Sequence, residues 1–297
     1  MTSFQDALGR QVTLPDAEGA AASPVVGELW LTSWDGGALA LVVVSAVRHG
    51  YVLGWPVTVS TRDDTYPSVP FGLNATDGSD VGLVAWPDAE FGMSTALLDS
   101  RYGAPFDAKT VRLIVGAVSG DCDMPVPACE NVPSEAAEAD LERVCAQAWD
   151  LGDIEWPLSI PGHGVLDQDE IRNSGVDARA LAGILHVSPA RAASLAAGRA
   201  VPTQTELEAL ESLDLHRASM FIAPSGAEVD AIVHPRFKSR IVAVTRQERL
   251  SEVAVRTWLY TEAEPLAARH QPGRSQADEA AARVEAALDR MLQAPRS

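Results

Sequence analysis

The stretch from Asp177 to Leu213, DARALAGILHVSPARAASLAAGRAVPTQTELEALESL, constrains the chain most, because its helix signals and helix breaks alternate at short, fixed intervals. Leu181, Ala182 and Leu185 recur at helical spacing across Ala178–Leu185. A break at His186-Val187 follows. Ser188 then offers an N-cap and Pro189 the first helical position. That second helix runs to about Ala197 and stops at Gly198, the residue most at ease in a left-handed C-terminal conformation. Pro202 and Thr203 open a third helix, in which Thr203 and Glu206 have capping-box spacing and Leu207, Leu210 and Leu213 share one face. The expectation is three short helices joined by two tight breaks.

Two helices meeting across a turn of three or four residues have the geometry of a helix-turn-helix. The pattern L-A-x-x-L-x-V-S-x-x-x-x-x-x-L-x-x-G-R-x-x-P, from Leu181 to Pro202, resembles the lambda-repressor-like (Xre-type) DNA-binding family. The resemblance implies that the helix from Pro189 to Ala197 is the recognition helix. It would present Pro189, Ala190, Arg191 and Ser194, with Arg199 just beyond. The DNA-contacting set it implies is Ser188, Arg191, Ser194 and Arg199. Arg191 can pair with guanine and Ser194 with several bases, whereas Pro189 and Ala190 offer no side-chain hydrogen bonds. Arg199 is better placed for a phosphate. His186 stands where the family usually has glycine, and histidine tolerates a positive φ better than most residues.

At 297 residues the chain has room for about two domains. No segment is apolar for the length a membrane helix requires; the longest candidate, Ala38 to Val47, has the length of a strand. Asp6 and Arg10 interrupt the N-terminus, where a signal region would be apolar, so a cytoplasmic protein without membrane contact is expected. Cys122, Cys129 and Cys145 are odd in number and lack zinc-ligand spacing, which argues against a disulfide framework. Charge is divided unevenly. Residues 1–170 hold 7 Lys+Arg against 26 Asp+Glu, a net −19; residues 171–297 hold 16 against 15, a net +1. An acidic half repels nucleic acid, so any DNA contact belongs to the C-terminal half.

After a polar, then Ala/Gly-rich leader (1–24), strands are expected at Val25–Trp34, Leu39–Val47, Tyr51–Ser60, Val81–Trp86 and Val111–Val118. Gly36-Gly37 and His49-Gly50 punctuate the first two connections as hairpin turns would. Ser94–Arg101 suits a short helix. Five short strands and one helix fit a small, strongly bent barrel. The segments GELWLTSW, LALVVVSAV, WPVTVS and VGLVAWPDAEFGMSTALLDSRYGAP resemble the MazF/PemK toxin family over residues 25–118. That family has an SH3-like barrel and cleaves RNA, using an arginine beside the second strand and a threonine ending the third. Thr58 matches the threonine. The arginine is missing, because Asp35-Gly36-Gly37-Ala38-Leu39 fills its place, and an acidic barrel without it stabilises charge on phosphate badly. Thr58 is thus a weak catalytic candidate, with Arg48 or Arg62 as substitutes for the cation. A β-branched strand residue is the plainer reading of Thr58.

Residues 119–175 read as a connector with one helix, Glu135–Leu151 capped by Ser134, and a linker holding PGHG at Pro161–Gly164 and the acidic run Asp167–Glu170. No role can be read for His163. Beyond the helix-turn-helix (176–215), residues 216–297 form a C-terminal extension. It begins with a short β-like stretch at Phe221–Ile232 around Pro224-Ser225-Gly226. Helices follow at Pro235–Gln247, Ser251–Arg269 with Pro265 as a late kink, and Ala277–Leu292 capped by Ser275. Ala277, Ala281, Val284, Leu288 and Met291 make a seam suited to another helix, in a dimer or within the chain. His234, Arg236, Lys238 and Arg240 form a compact basic cluster, of which Arg236, Lys238 and Arg240 are candidate phosphate contacts.

The fold expected is therefore α+β: an N-terminal SH3-like β-barrel, then an all-helical half containing a helix-turn-helix. The function expected is a DNA-binding transcriptional regulator, repressor or antitoxin-like. It would act as a homodimer on double-stranded DNA, with the acidic barrel taking a protein partner or ligand. The rival is a MazF-like endoribonuclease carrying a regulatory helical half, and a third reading is a pure interaction protein. Neither a metal site nor a cofactor is expected.

Overall fold

The computed structural model describes residues 17, 23–48, 50–59, 68–74, 80–126, 135–154, 156, 164–173, 175–211, 221–222, 226–263 and 275–293. The leader apart from residues 17, 23 and 24, together with His49, Arg62, Cys129, Ser134, His163, Pro224, Ser225 and Pro265, lies outside them. The architecture is α+β, with an antiparallel sheet first and a helical half after it. The chain divides into two compact units: residues 1–154 with 233–242, and residues 155–232 with 243–297.

The first unit holds strands β1 (Leu29–Trp34), β2 (Gly37–Val47), β3 (Tyr51–Val59), β4 (Val69–Asn74), β5 (Asp80–Ala85), β6 (Phe91–Ser94) and β7 (Leu98–Arg101). Helices α1 (Ala108–Val118) and α2 (Glu135–Gly152) complete its main elements. The strands pair in the order β4-β5-β3-β2-β1-β7, and the sheet does not close, which corrects the closed barrel expected. β3 changes partner along its length: Tyr51–Gly54 pair with β6 and Val57–Val59 with β5. The β1–β2 hairpin turns on Asp35 and Gly36, both at positive φ, between the paired residues Trp34 and Gly37. Two consecutive left-handed residues are what a tight two-residue hairpin requires.

Each face of the sheet is covered. Leu29, Leu41, Val43, Trp55, Val57 and Leu83 pack with Phe106, Val111 and Ile114 on one side. Trp30, Val42, Val44, Val52 and Met93 pack with Leu97 and Leu151 on the other. A strand buried on both sides reads as a continuous apolar run rather than an alternating one, and LVVVS at the centre of β2 is such a run.

Two local readings are overturned here. Residues 111–118, expected as a strand, belong to α1. Asp107 caps it through a 2.7 Å bond from the Thr110 N–H, and Val111, Ile114 and Ala117 face inward at helical spacing. The β-branched content of VRLIVGAV misleads, because burial of one helical face outweighs β propensity. Conversely Ser94–Arg101, expected as a helix, lies in β6, a 3-10 turn at Thr95–Leu97, and β7. β4 went unforeseen.

The second unit holds β8 (Val165–Leu166), α3 (Gln168–Asn173), α4 (Ala178–Leu185), α5 (Pro189–Ala196), α6 (Gln204–Glu211), β9 (Phe221–Ile222) and all but the last residue of α7 (Ala227–Val233). Helices α8 (Lys238–Glu248), α9 (Glu252–Ala263) and α10 (Gln276–Gln293) follow, α8 giving its residues from 243 onward to this unit. The expected linker thus contains a strand, Val165–Leu166, that pairs with β9, while the end of the expected β-like stretch is α7. In α10, Ala280, Val284, Ala287 and Leu288 are fully buried within the chain. The Val284–Leu288 seam is therefore covered internally and is not available as a dimer face. Among the described residues no helix is long and apolar enough to cross a membrane.

Candidate nucleic-acid interface

Helices α4 and α5 are set by their caps. Asp177 accepts the Ala180 N–H at 2.7 Å and starts α4. His186 ends it in the left-handed region, φ 53° and ψ 37°, its N–H bonded to the Ala182 carbonyl. Ser188 accepts the Arg191 N–H at 3.2 Å and starts α5, with Pro189 at the first position. Gly198 closes the exit at φ 63°, where a Cβ would stand 2.8 Å from the Leu166 carbonyl oxygen, so both conformation and space demand glycine. Leu181, Leu185, Ala192, Leu195, Ala200, Leu207 and Leu210 form one core with Leu166 and Ile171. Burying Ala192 and Leu195 turns Ser188, Pro189, Ala190 and Ala193 to solvent.

Of the four expected DNA contacts, Ser188 and Arg199 are exposed, and Ser194 and Arg191 are half-buried. Arg191 is engaged elsewhere. Its Nε donates to Glu206 Oε1 at 3.0 Å, and one terminal nitrogen donates to Glu206 Oε2 at 2.8 Å and to the Val201 carbonyl at 2.9 Å. Glu206 also completes the capping box, accepting the Thr203 N–H at 2.6 Å while Thr203 Oγ1 accepts the Glu206 N–H at 3.3 Å. One carboxylate therefore both caps α6 and ties α5 to it. The side chains of Arg191 and Glu206 are 21% and 8% exposed, so water screens this pair only in part. The capping-box spacing announces half of this arrangement; the arginine, 15 residues away, gives no local signal.

Burial would raise the Glu206 carboxyl, but the Arg191 and Thr203 hydrogen bonds outweigh it and hold the group below its ordinary value of 4.5. A carboxyl depressed by folding adds stability that is complete above its unfolded value and is lost as pH falls through its folded one. The stability difference between the natural chain and Arg191→Met should therefore be largest at neutral pH. It should shrink as pH drops below about 4.5. Urea unfolding at a series of pH values reads this directly, and a pH-independent difference would mean that the pair does not form.

The basic cluster is less uniform than its sequence suggests. Arg236 is exposed and stacks over the Phe237 ring at 4.5 Å, and Arg240 is half-buried. Lys238 is fully buried in the sheet unit. Its ammonium donates to the Ser33 carbonyl at 2.7 Å and the Ala96 carbonyl at 3.0 Å, and lies 5.0 Å from the Trp34 ring centre. It faces backbone oxygens where a surface phosphate contact was expected. His234 caps the 3-10 turn at Pro235–Phe237. Its Nδ1 accepts the Arg236 N–H at 3.2 Å, and its Nε2 lies 3.1 Å from Ser23 Oγ. Burial, then the Arg236 charge, lower the imidazole below its usual 6.5, keeping it neutral. With Nδ1 accepting, the proton resides on Nε2, so His234 cannot take one from Ser23.

Thr58 sits in β3 with its Oγ1 accepting the Trp86 indole N–H at 2.8 Å. That bond gives the hydroxyl a packing role. Cys122 and Cys145 are free thiols. Among the described residues no group of three or more His, Cys, Asp or Glu side chains is placed to hold a metal ion. No protein-family model matches the chain, and no curated protein matches it significantly.

Proposed function

We propose that the chain is a DNA-binding regulator in which α4 and α5 act as a helix-turn-helix, with α5 laid in the major groove of double-stranded DNA. The observation that carries this reading is the left-handed His186 cap followed at once by the Ser188 cap. Together they set α5 against α4 with a smooth outer face of Pro189, Ala190 and Ala193. Small side chains let a helix approach base edges closely. Arg199, exposed just past Gly198, supplies the cation. Because Arg191 is tied to Glu206, its work is to position α5, and base reading falls to Ser188 and Ser194. A modest sequence preference follows, assisted by DNA shape. Pairing through a two-fold axis would double the contact area, through a surface other than the α10 seam. The open sheet unit we read as a relative of the MazF/PemK family that lacks the catalytic arginine and serves a protein or ligand partner.

The test is binding of the full chain to a randomised duplex library at two salt concentrations. Arg199→Ala should weaken all sequences alike and lower the salt slope by about one counterion. Ser194→Ala should alter the sequences recovered. No binding at low salt ends this reading, and metal-independent RNA cleavage abolished by Thr58→Ala would favour the endoribonuclease.

A further inference from the structure

α2 lies on the sheet unit by one face and leaves the other bare. Val144, Ala148 and Leu151 are buried, and the Gln147 side chain donates to the Leu39 carbonyl at 3.0 Å. On the opposite side Glu142, Ala146 and Trp149, with Asp153 just past the helix end, are all exposed, at intervals of four, three and four residues. That interval keeps side chains in one line along a helix, the spacing by which two helices meet. Trp149 stands at the centre of the line and is 76% exposed. By contrast the indole N–H groups of Trp30, Trp55 and Trp86 are bonded inside this unit, to Glu28, Glu90 and Thr58. Ala146, one turn before Trp149, leaves room beside its ring. A large aromatic held out on a helix beside a small residue is the composition of a binding hot spot, since its burial releases much apolar area at little cost in order.

The charges select the partner. Glu142 and Asp153 close the line at its two ends, and the sheet unit carries 10 Lys+Arg against 22 Asp+Glu, a net −12. A second copy of this face is a poor occupant. Antiparallel pairing sets each Glu142 against the other copy's Asp153, and parallel pairing sets like residue against like, so either arrangement places acid on acid. We infer that the Glu142–Ala146–Trp149–Asp153 face of α2 docks an amphipathic helix of another protein whose apolar stripe is flanked by Lys or Arg. This goes beyond the DNA-binding reading and stands independently of it.

Two synthetic amphipathic peptides test the inference against the full chain. One carries a leucine stripe flanked by lysines, and the other has glutamate at each lysine position. Fluorescence anisotropy of the labelled peptides should show binding of the basic peptide alone, weakening as salt rises. Trp149→Ala should loosen it roughly tenfold or more. Glu142→Gln with Asp153→Asn should weaken it and flatten its salt dependence. Trp149 is exposed, so its replacement should leave the unfolding midpoint unchanged; a lowered midpoint would show that the ring is needed for packing and overturn the inference. It is equally overturned if the basic peptide does not bind, if both peptides bind alike, if Trp149→Ala binds as well as the natural chain, or if sedimentation shows a dimer lost on Trp149→Ala.

Discussion

Glu252→Ala is expected to destabilise the helical unit by about 3–5 kcal/mol, the cost of leaving one partner of a buried ion pair without the other. Glu252 and Arg256 lie one turn apart in α9, with side chains 0% and 1% exposed. Glu252 Oε1 accepts from Arg256 Nε at 3.1 Å and from a terminal nitrogen at 2.5 Å, while the other terminal nitrogen donates to the Ile232 carbonyl at 2.5 Å. Burial pushes the guanidinium below its ordinary value, and the Glu252 charge and hydrogen bond offset only part of that. Removing the carboxylate leaves the desolvation without its largest offset. The apolar pair Glu252→Leu with Arg256→Met should recover much of the loss, because no charge then remains buried. Urea unfolding followed by circular dichroism checks both, and a loss under about 1 kcal/mol for Glu252→Ala would refute this burial.

Lys238→Met is the second large expected effect, about 2–4 kcal/mol against the sheet unit. Methionine keeps most of the stem's packing and removes the ammonium, so the Ser33 and Ala96 carbonyls lose a charged donor in a site closed to water. Lys238→Arg should not restore it, because a planar fork cannot follow the converging geometry of two carbonyls beneath the Trp34 ring. If Lys238→Met instead left stability unchanged and weakened DNA binding, the lysine would be a surface phosphate contact after all.

These effects could not be read from the sequence. His234, Arg236, Lys238 and Arg240 look like one basic patch on paper, yet one is buried on carbonyls, one caps a turn and one stacks on Phe237. Only a segment from the C-terminal half inserted into the sheet unit brings Lys238 to Ser33, 205 residues away. Arg191 is a similar case. Its place on α5 follows from the Ser188 cap, but its direction is set by Glu206 on another helix.

What the sequence determined by itself was local and capped. His186, Ser188, Gly198, Thr203 and Glu206 end or begin helices through bonds to residues within four positions, so their roles are legible wherever the segment lies. The α+β class was equally plain from apolar runs bounded by turns. The tertiary structure alone decided the rest. It decided whether 108–118 is helix or strand, because an apolar, β-branched stretch can satisfy either and the choice depends on which surface buries Val111 and Ile114. It decided that the α10 seam is covered within the chain, and that α2 keeps a tryptophan in water. Periodicity says that a face exists; burial by a neighbour, a long-range energy, says whether that face is still free to bind.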